Sequence, residues 1–212
     1  ATKDDKFYMI EVNPRASRTI PFLSKCIGNS LAKIASKVIT GKSLKDLGLE
    51  AEIMPTNYAV KAPVFPFNKF RKVDPILGPE MKSTGEVMGR GDCFGEAFGK
   101  AMKGAGEVIP NQGRVFVSVK DNDKKYLPGL CSKLEKLGFQ IYATKGTAKA
   151  LEKSDVKVKI VNKVLEGRPH IVDAILNKEI DMIINTTEGR QSIKDSFSIR
   201  RSALEHLSLI HI

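Results

Sequence analysis

Two groups of residues in the sequence combine the side-chain types that bind metal ions and phosphate groups. The first follows a predicted strand over residues 7–12 and reads Glu-Val-Asn-Pro-Arg. Alternate residues of a strand share one face, so Glu11 and Asn13 are expected to point the same way and form an oxygen-rich corner suited to Mg²⁺. The guanidinium groups that follow suit the phosphate oxygens that such a metal bridges, and they belong to Arg15 and Arg18. The same spacing also fits a strand end that carries solvated charges.

The second group consists of polar residues that follow the predicted strands of a region beginning at Arg114. In open α/β sheets, ligands bind beyond the carboxyl ends of the strands. Residues 144–147 form a predicted tight turn that opens a helix at residues 148–152, where free N–H groups and the helix dipole favour an anion. Two lysines add positive charge, so the group predicts a phosphate site with room for a sugar and a base. Its members are Lys124, Thr144, Thr147, Lys163, Asn185 and Thr187. Each one alone also fits a helix cap or a solvated lysine.

The elements that position this second group alternate between strand and helix. Apolar β-prone runs predict strands at residues 115–119, 139–143, 158–161 and 182–184. Amphipathic patterns predict helices at residues 126–137, 148–152, 170–176 and 192–204. This alternation predicts a small doubly wound α/β domain with a mainly parallel sheet.

The first half of the chain has a less regular pattern. Helices are predicted at residues 31–38 and 92–102, and the proline-rich stretch at 54–80 is interpreted as a connection between two units. We therefore assign residues 1–108 to a first domain with its connection and residues 109–206 to a second domain. Residues 207–212 do not continue the pattern and are expected to be a non-native tail.

Composition excludes some function classes and leaves others open. The formal charge is +11, which admits a nucleic-acid-binding module as an alternative. The lysines are spread along the chain, Trp is absent and Tyr numbers 4, so stacking platforms for bases are scarce and no nucleic-acid partner is expected. The sequence has no apolar run of membrane-spanning length and no signal-peptide pattern. The three cysteines are far apart, which favours a reducing cytoplasm.

Residues 11–19 resemble the closing motif of an ATP-grasp ligase. The segments 21–25, 66–70, 74–81 and 83–89 then resemble the large subunit of the carbamoyl-phosphate synthases, and the likeness extends from about residue 7 to about residue 205. The resemblance implies that Glu11 and Asn13 bind Mg²⁺ or Mn²⁺ with ATP, where carbamate is phosphorylated to carbamoyl phosphate. It also implies that Arg15 and Arg18 hold the transferring phosphate.

This resemblance implies the mixed α/β tail of an ATP-grasp domain, followed by a regulatory domain. The other nucleotide-binding parts of the ATP site would lie upstream, so the chain alone is expected to form no carbamoyl phosphate. In the whole enzyme, a ligase of pyrimidine and arginine biosynthesis, the implied partner is a glutamine amidotransferase small subunit. A homo-oligomer is also possible.

The second half is similar to the methylglyoxal-synthase-like domain of carbamoyl-phosphate synthases. The likeness lies in residues 162–164, 166–171, 184–187 and 199–203. In many bacterial members, inosine monophosphate activates and uridine monophosphate inhibits through this domain, and the six polar residues of the second group match the effector positions. Ornithine control is not expected, because Ala62 replaces a family glutamate and a Tyr-Asp-Thr segment expected after residue 206 is missing.

Two other activities share parts of these patterns. A methylglyoxal synthase, a lyase acting on dihydroxyacetone phosphate, would share the fold and the phosphate turn, but its chemistry needs a carboxylate base beside the phosphate. The predicted set offers lysines, threonines and an amide instead. Another ATP-grasp ligase, such as a biotin carboxylase, would share the Glu-x-Asn-x-Arg motif but not the regulatory half.

Overall fold

The computed structural model describes residues 2–69, 74–78, 80–152, 154–206 and 209–211, without the side chains of residues 68, 190, 191, 195 and 209–211. The chain divides into two compact units. The first unit comprises Ala1–Ala62 with Val87–Gly104, and the second comprises Pro63–Glu86 with Ala105–Ile212. Residues 63–86 thus group with the second unit although they precede the boundary predicted at residue 108. The domain assignment itself stays a prediction.

The first unit begins with a short hairpin instead of the longer predicted strand. β1 (Thr2–Lys3) pairs antiparallel with β2 (Lys6–Phe7), and residues 8–14 are outside any strand. A strand needs a neighbour that accepts and donates its backbone hydrogen bonds, and beyond Phe7 none of the described strands pairs with this segment. The prediction of a strand over residues 7–12 was therefore wrong after residue 7.

Two helices follow the hairpin, and the residues between them fix where the first ends and the second begins. α1 (Thr19–Ile27) ends at Gly28, which adopts a left-handed conformation with φ of 74°. α2 (Leu31–Ile39) begins at Ser30, whose hydroxyl accepts a hydrogen bond from the Lys33 N–H. The helix predicted at residues 31–38 is therefore confirmed, with its N-terminus fixed by a serine cap.

A glycine allows the third helix to pack closely on a strand. β3 (Tyr58–Val64) and β4 (Gly85–Gly91) form a two-stranded sheet, and α3 (Phe94–Gly104) follows β4. A Cβ added at Gly89 would overlap the Ala97 carbonyl oxygen and lie 2.5 Å from the Ala101 nitrogen. The backbone of α3 therefore approaches β4 at a distance that only glycine permits.

The second unit contains a five-stranded sheet in which every neighbouring pair is parallel. The strands are β5 (Gly113–Ser118), β6 (Phe139–Ala143), β7 (Val158–Ile160), β8 (Met182–Asn185) and β9 (Leu209–His211). Their order is β7-β6-β5-β8-β9, with β5 at the centre. The predicted doubly wound α/β fold is confirmed. Residues 209–211 extend the sheet beside β8, although the sequence pattern assigned them no element.

The helices of the second unit lie close to their predicted positions, with two differences. They are α4 (Leu127–Lys136), α5 (Lys145–Leu151), α6 (Ile171–Leu176), α7 (Arg190–Asp195) and α8 (Phe197–Glu205). α5 begins three residues before the predicted start at 148. The single helix predicted over 192–204 is two helices separated at Ser196, whose hydroxyl donates to the Ser192 carbonyl oxygen.

The sheet buries apolar residues on both of its faces. On the central strand, Phe116 belongs to one core cluster, whereas Val115 and Val117 belong to another. All three are completely buried. Because successive residues of a strand point to opposite faces, a run of consecutive apolar residues is what a sheet covered on both sides requires.

A buried arginine attaches residues near position 74 to the last helix of the second unit. Arg200 is 1% exposed, and its guanidinium donates to both carboxylate oxygens of Asp74, at 2.9 Å and 2.6 Å. It also donates to the Ile193 carbonyl oxygen at 2.9 Å. This two-pronged pairing has the geometry that makes Arg–carboxylate bonds strong, and it anchors the Asp74 segment to α8.

Candidate functional site

The second unit has a cavity of about 630 Å³ where its central strands end. β5 and β8 stop at matching positions, with Ser118 opposite Asn185 in the parallel register. The structure brings all six polar residues of the predicted phosphate and nucleotide site to the wall of this cavity, namely Lys124, Thr144, Thr147, Lys163, Asn185 and Thr187. Their roles in binding remain predictions.

Apolar side chains form another part of the cavity wall. Phe116, Ile171 and Ile199 belong to the same core cluster and also line the cavity. A volume of this size lies within the range of small-molecule sites, which combine mainly apolar walls with a few placed polar groups. The cavity can therefore accept a flat apolar group beside a charged one.

Two threonines stand at the beginning of α5. Thr144 and Thr147 are almost fully buried, and the Thr144 hydroxyl donates to the Thr147 hydroxyl oxygen at 3.3 Å. The N–H groups of Thr147 and Ala148 both donate to the Thr144 carbonyl oxygen, because the helix already begins at Lys145. The turn predicted over residues 144–147 is thus the N-cap and first turn of α5, and its two threonines line the cavity.

A lysine–aspartate pair lies beside these threonines. Lys124 Nζ is 2.6 Å from Asp121 Oδ1, and the lysine side chain is 28% exposed while that of the aspartate is 92% exposed. A Cβ added at Gly146 would lie 3.8 Å from the same Nζ, so the ammonium group stands over the first turn of α5. The hydrogen bond and charge of Lys124 lower the pKa of Asp121, and the charge of Lys163 adds a smaller effect in the same direction.

Asn185 presents a hydrogen-bond donor that the described residues leave unused. The side chain is 3% exposed and lines the cavity, and its Nδ2 has no hydrogen-bond partner among the described residues. A buried donor without a partner costs about 1–3 kcal/mol of stability. The Asn185 amide is therefore a donor that a ligand oxygen in the cavity could accept from.

Sequence reasoning missed the carboxylates of the cavity, which are Asp121, Glu166 and Glu188. Asp121 is paired with Lys124, and the Glu166 carboxylate accepts a hydrogen bond from the Lys163 N–H at 3.0 Å. The expectation that the strand ends offer only lysines, threonines and an amide was therefore incomplete. Asp121 lies three positions before Lys124, a spacing that predicts neighbouring side chains once the segment is known to be helical.

The predicted metal corner lies in the first unit and is exposed. The Asn13 amide donates to Glu11 Oε1 at 3.2 Å, so the two side chains do lie together. Among the described residues, this corner is not joined by a cluster of three or more acidic, histidine or cysteine side chains. Two oxygen donors fit part of the six-oxygen shell of Mg²⁺. Arg15 and Arg18 are also exposed in this unit.

The three cysteines form no disulfide and differ in exposure. All three are free, and only Cys93 is exposed. Burial, with a smaller contribution from Glu135, raises the pKa of the Cys131 thiol to about 11, so this thiol is protonated at neutral pH.

Every helix within the described residues is too short or too polar to cross a lipid bilayer.

Comparisons with known proteins match family models to both the first and the second half of the chain. Residues 127–207 match the family model of the MGS-like domain, and residues 1–47 match that of the carbamoyl-phosphate synthase L chain, ATP binding domain. The chain is 64% identical over 206 residues to the carbamoyl phosphate synthase large chain of Pseudomonas putida, and 62% identical to that of Pseudomonas syringae pv. tomato. The large chain of Vibrio cholerae is 54% identical.

Each of these three alignments covers 97% of this chain and 19% of the relative, so the chain spans about a fifth of the length of these large chains. The similarity extends through both compact units, and the MGS-like match includes five of the six predicted effector residues, with Lys124 just before it. The chain therefore belongs to the carbamoyl phosphate synthase large-chain family, of which it carries ATP-binding-domain sequence and an MGS-like domain.

Proposed function

We propose that the second unit is a regulatory domain that binds a nucleoside monophosphate in the cavity at the carboxyl ends of β5, β6 and β8. The observation that carries this proposal is the buried, unpaired Nδ2 of Asn185 in the same cavity wall as two lysines and two buried threonine hydroxyls. Inosine monophosphate and uridine monophosphate are the proposed effectors.

The proposed orientation follows from where charge and apolar surface lie. The phosphate binds at the start of α5, where the hydroxyls of Thr144 and Thr147 can reorient toward it and the Lys124 ammonium stands over the same turn. Lys163 supplies a second positive charge at the rim. Asn185 is the last residue of β8, and Thr187 follows it in the chain. These two side chains donate to oxygens of the sugar or base, while Phe116 and Ile199 contact the ring.

For the whole protein, we propose the ATP-dependent synthesis of carbamoyl phosphate, with nitrogen supplied by a glutamine amidotransferase small subunit. This proposal rests on identities of 54–64% to large chains of that name. Pyrimidine and arginine biosynthesis are the proposed pathways, and the cytoplasm is the proposed compartment.

In the first unit, Glu11 and Asn13 are the proposed ligands of Mg²⁺ or Mn²⁺, and Arg15 and Arg18 are proposed to hold phosphate oxygens. A divalent ion there would neutralise charge on the phosphates of ATP. The pair supplies two oxygens of the ion's shell, so the remaining ligands would come from ATP, water and residues upstream. The isolated chain is accordingly expected to form no carbamoyl phosphate from ATP, bicarbonate and ammonia.

The regulatory proposal is tested by titrating the purified chain with each nucleotide in a calorimeter. We expect saturable heat with uridine or inosine monophosphate, and we expect Lys163→Ala to weaken binding roughly three- to tenfold because one exposed cation beside the phosphate is lost. The matched control is Lys125→Ala, which removes the same charge from an exposed lysine outside the cavity wall. Absence of nucleotide heat from the folded chain would refute the proposal.

A further inference from the structure

One anionic side chain already occupies the positive end of the cavity. Asp121 bonds to the Lys124 ammonium at 2.6 Å, and its carboxylate also lies within the electrostatic influence of Lys163. These two lysines are the cations to which the proposed function assigns the ligand phosphate. The protein therefore places its own carboxylate where a phosphate oxygen would form a salt bridge.

We propose that Asp121 is an internal competitor for anionic ligands, whose carboxylate must leave Lys124 before a ligand phosphate can pair with that ammonium. The proposal rests on the proposed function, because it concerns the affinity of the same cavity. It assigns to Asp121 a role that limits affinity, in contrast to the lysines and threonines around it.

The exposure of the two partners indicates which of them moves. The Asp121 side chain is 92% exposed, so it can rotate into water at little cost, because exposed ion pairs are only weakly stabilising. Lys124 is 28% exposed and stands over the first turn of α5. The lysine therefore already lies in the cavity wall, whereas the aspartate faces water.

Competition and orientation by Asp121 predict opposite results. If the carboxylate competes, its removal releases Lys124 and also removes a negative charge that would repel a phosphate dianion, so affinity rises. If the carboxylate instead orients Lys124, its removal lowers affinity. The charge of the ligand provides a second distinction. An uncharged nucleoside does not compete for an ammonium group, so it should bind equally well to the original chain and to a variant without the carboxylate.

The test is calorimetry on the complete 212-residue chain and its Asp121→Asn variant, with uridine monophosphate, inorganic phosphate and uridine as separate probes. We expect the variant to bind uridine monophosphate and phosphate roughly three- to tenfold more tightly at low ionic strength, with a smaller gain at high salt. Uridine binding should be unchanged. The matched control is Asp123→Asn, which removes the same charge from the same 3₁₀ helix, Asp121–Tyr126, but from a residue outside the cavity wall.

Three results would overturn the proposal. Equal or weaker binding of both phosphate probes by Asp121→Asn, with normal binding by the original chain, refutes competition and leaves the proposed nucleotide site standing. An equal gain in Asp123→Asn reduces the effect to net charge. If neither the original chain nor the variant binds any phosphate probe, the proposed function and this inference fail together.

Discussion

Replacing Asp74 with alanine is expected to destabilise the second unit by about 3 kcal/mol, although Asp74 lies far from β5–β8 in the sequence. The loss of stability arises from Arg200, the ion-pair partner that the substitution leaves behind. Arg200 is 1% exposed and loses two hydrogen bonds at once, so within the described part of the chain its buried charge keeps the Ile193 carbonyl oxygen as an acceptor. Removing one partner of a buried ion pair typically costs about 3–5 kcal/mol, and the 31% exposure of the Asp74 side chain argues for the lower end.

Urea unfolding combined with hydrogen exchange of the α8 amides measures this effect in the unit where it arises. Asp121→Asn is the control, because it removes a carboxylate from an exposed ion pair of the same unit and should leave stability nearly unchanged. A loss below about 1 kcal/mol in Asp74→Ala, equal to that of the control, would mean that the Arg200 guanidinium finds water or another acceptor without cost.

Replacing Asn185 with leucine is expected to change stability and binding in opposite directions. Leucine has nearly the same size but no N–H donor, so it removes a buried group that the described residues leave unpaired. We expect the ligand-free chain to gain about 1 kcal/mol of stability. Nucleotide binding should weaken by about 2 kcal/mol, or roughly thirtyfold, because a ligand oxygen would face an apolar side chain.

The same replacement at Asn162 is a control with a different expected sign. The Asn162 amide donates to the Pro169 carbonyl oxygen at 3.2 Å and does not line the cavity, so Asn162→Leu should lower stability slightly and leave nucleotide affinity unchanged. Thermal unfolding and calorimetry provide the two measurements. If Asn185→Leu destabilises the chain and binds nucleotide normally, Asn185 is a structural residue and the orientation proposed for the ligand is wrong.

The elements of the second unit could be predicted well from the sequence because the pattern of apolar residues there follows which side chains are buried. The strand at residues 139–143 has the predicted bounds, and the helix predicted at 126–137 is α4 with one residue fewer at each end. Both segments lie between glycines or polar turns and pack against a sheet covered on its two faces. In such elements, local propensity and tertiary burial favour the same structure, so the pattern alone suffices.

Other features depend on partners that a sequence pattern does not identify. Residues 8–14 have β-prone side chains, yet among the described strands none pairs with them, so the apolar pattern predicted a strand that is not formed. α7 and α8 are separated at Ser196, whose hydroxyl donates to the same Ser192 carbonyl oxygen that accepts its backbone N–H, a side-chain bond that often bends helices. The carboxylate of Asp121 became part of the site through its contact with Lys124.

The central strand β5 makes the second unit sensitive to the insertion or deletion of a single residue within that strand. Phe116 and Val117 are assigned to opposite cores only because one is an even and the other an odd step along β5. Inserting or deleting one residue inside Gly113–Ser118 would exchange the two sets and send each side chain into a space shaped for the other. Changes of length are therefore admissible in the connections on either side of β5, whereas within these six residues evolution and engineering are restricted to substitution.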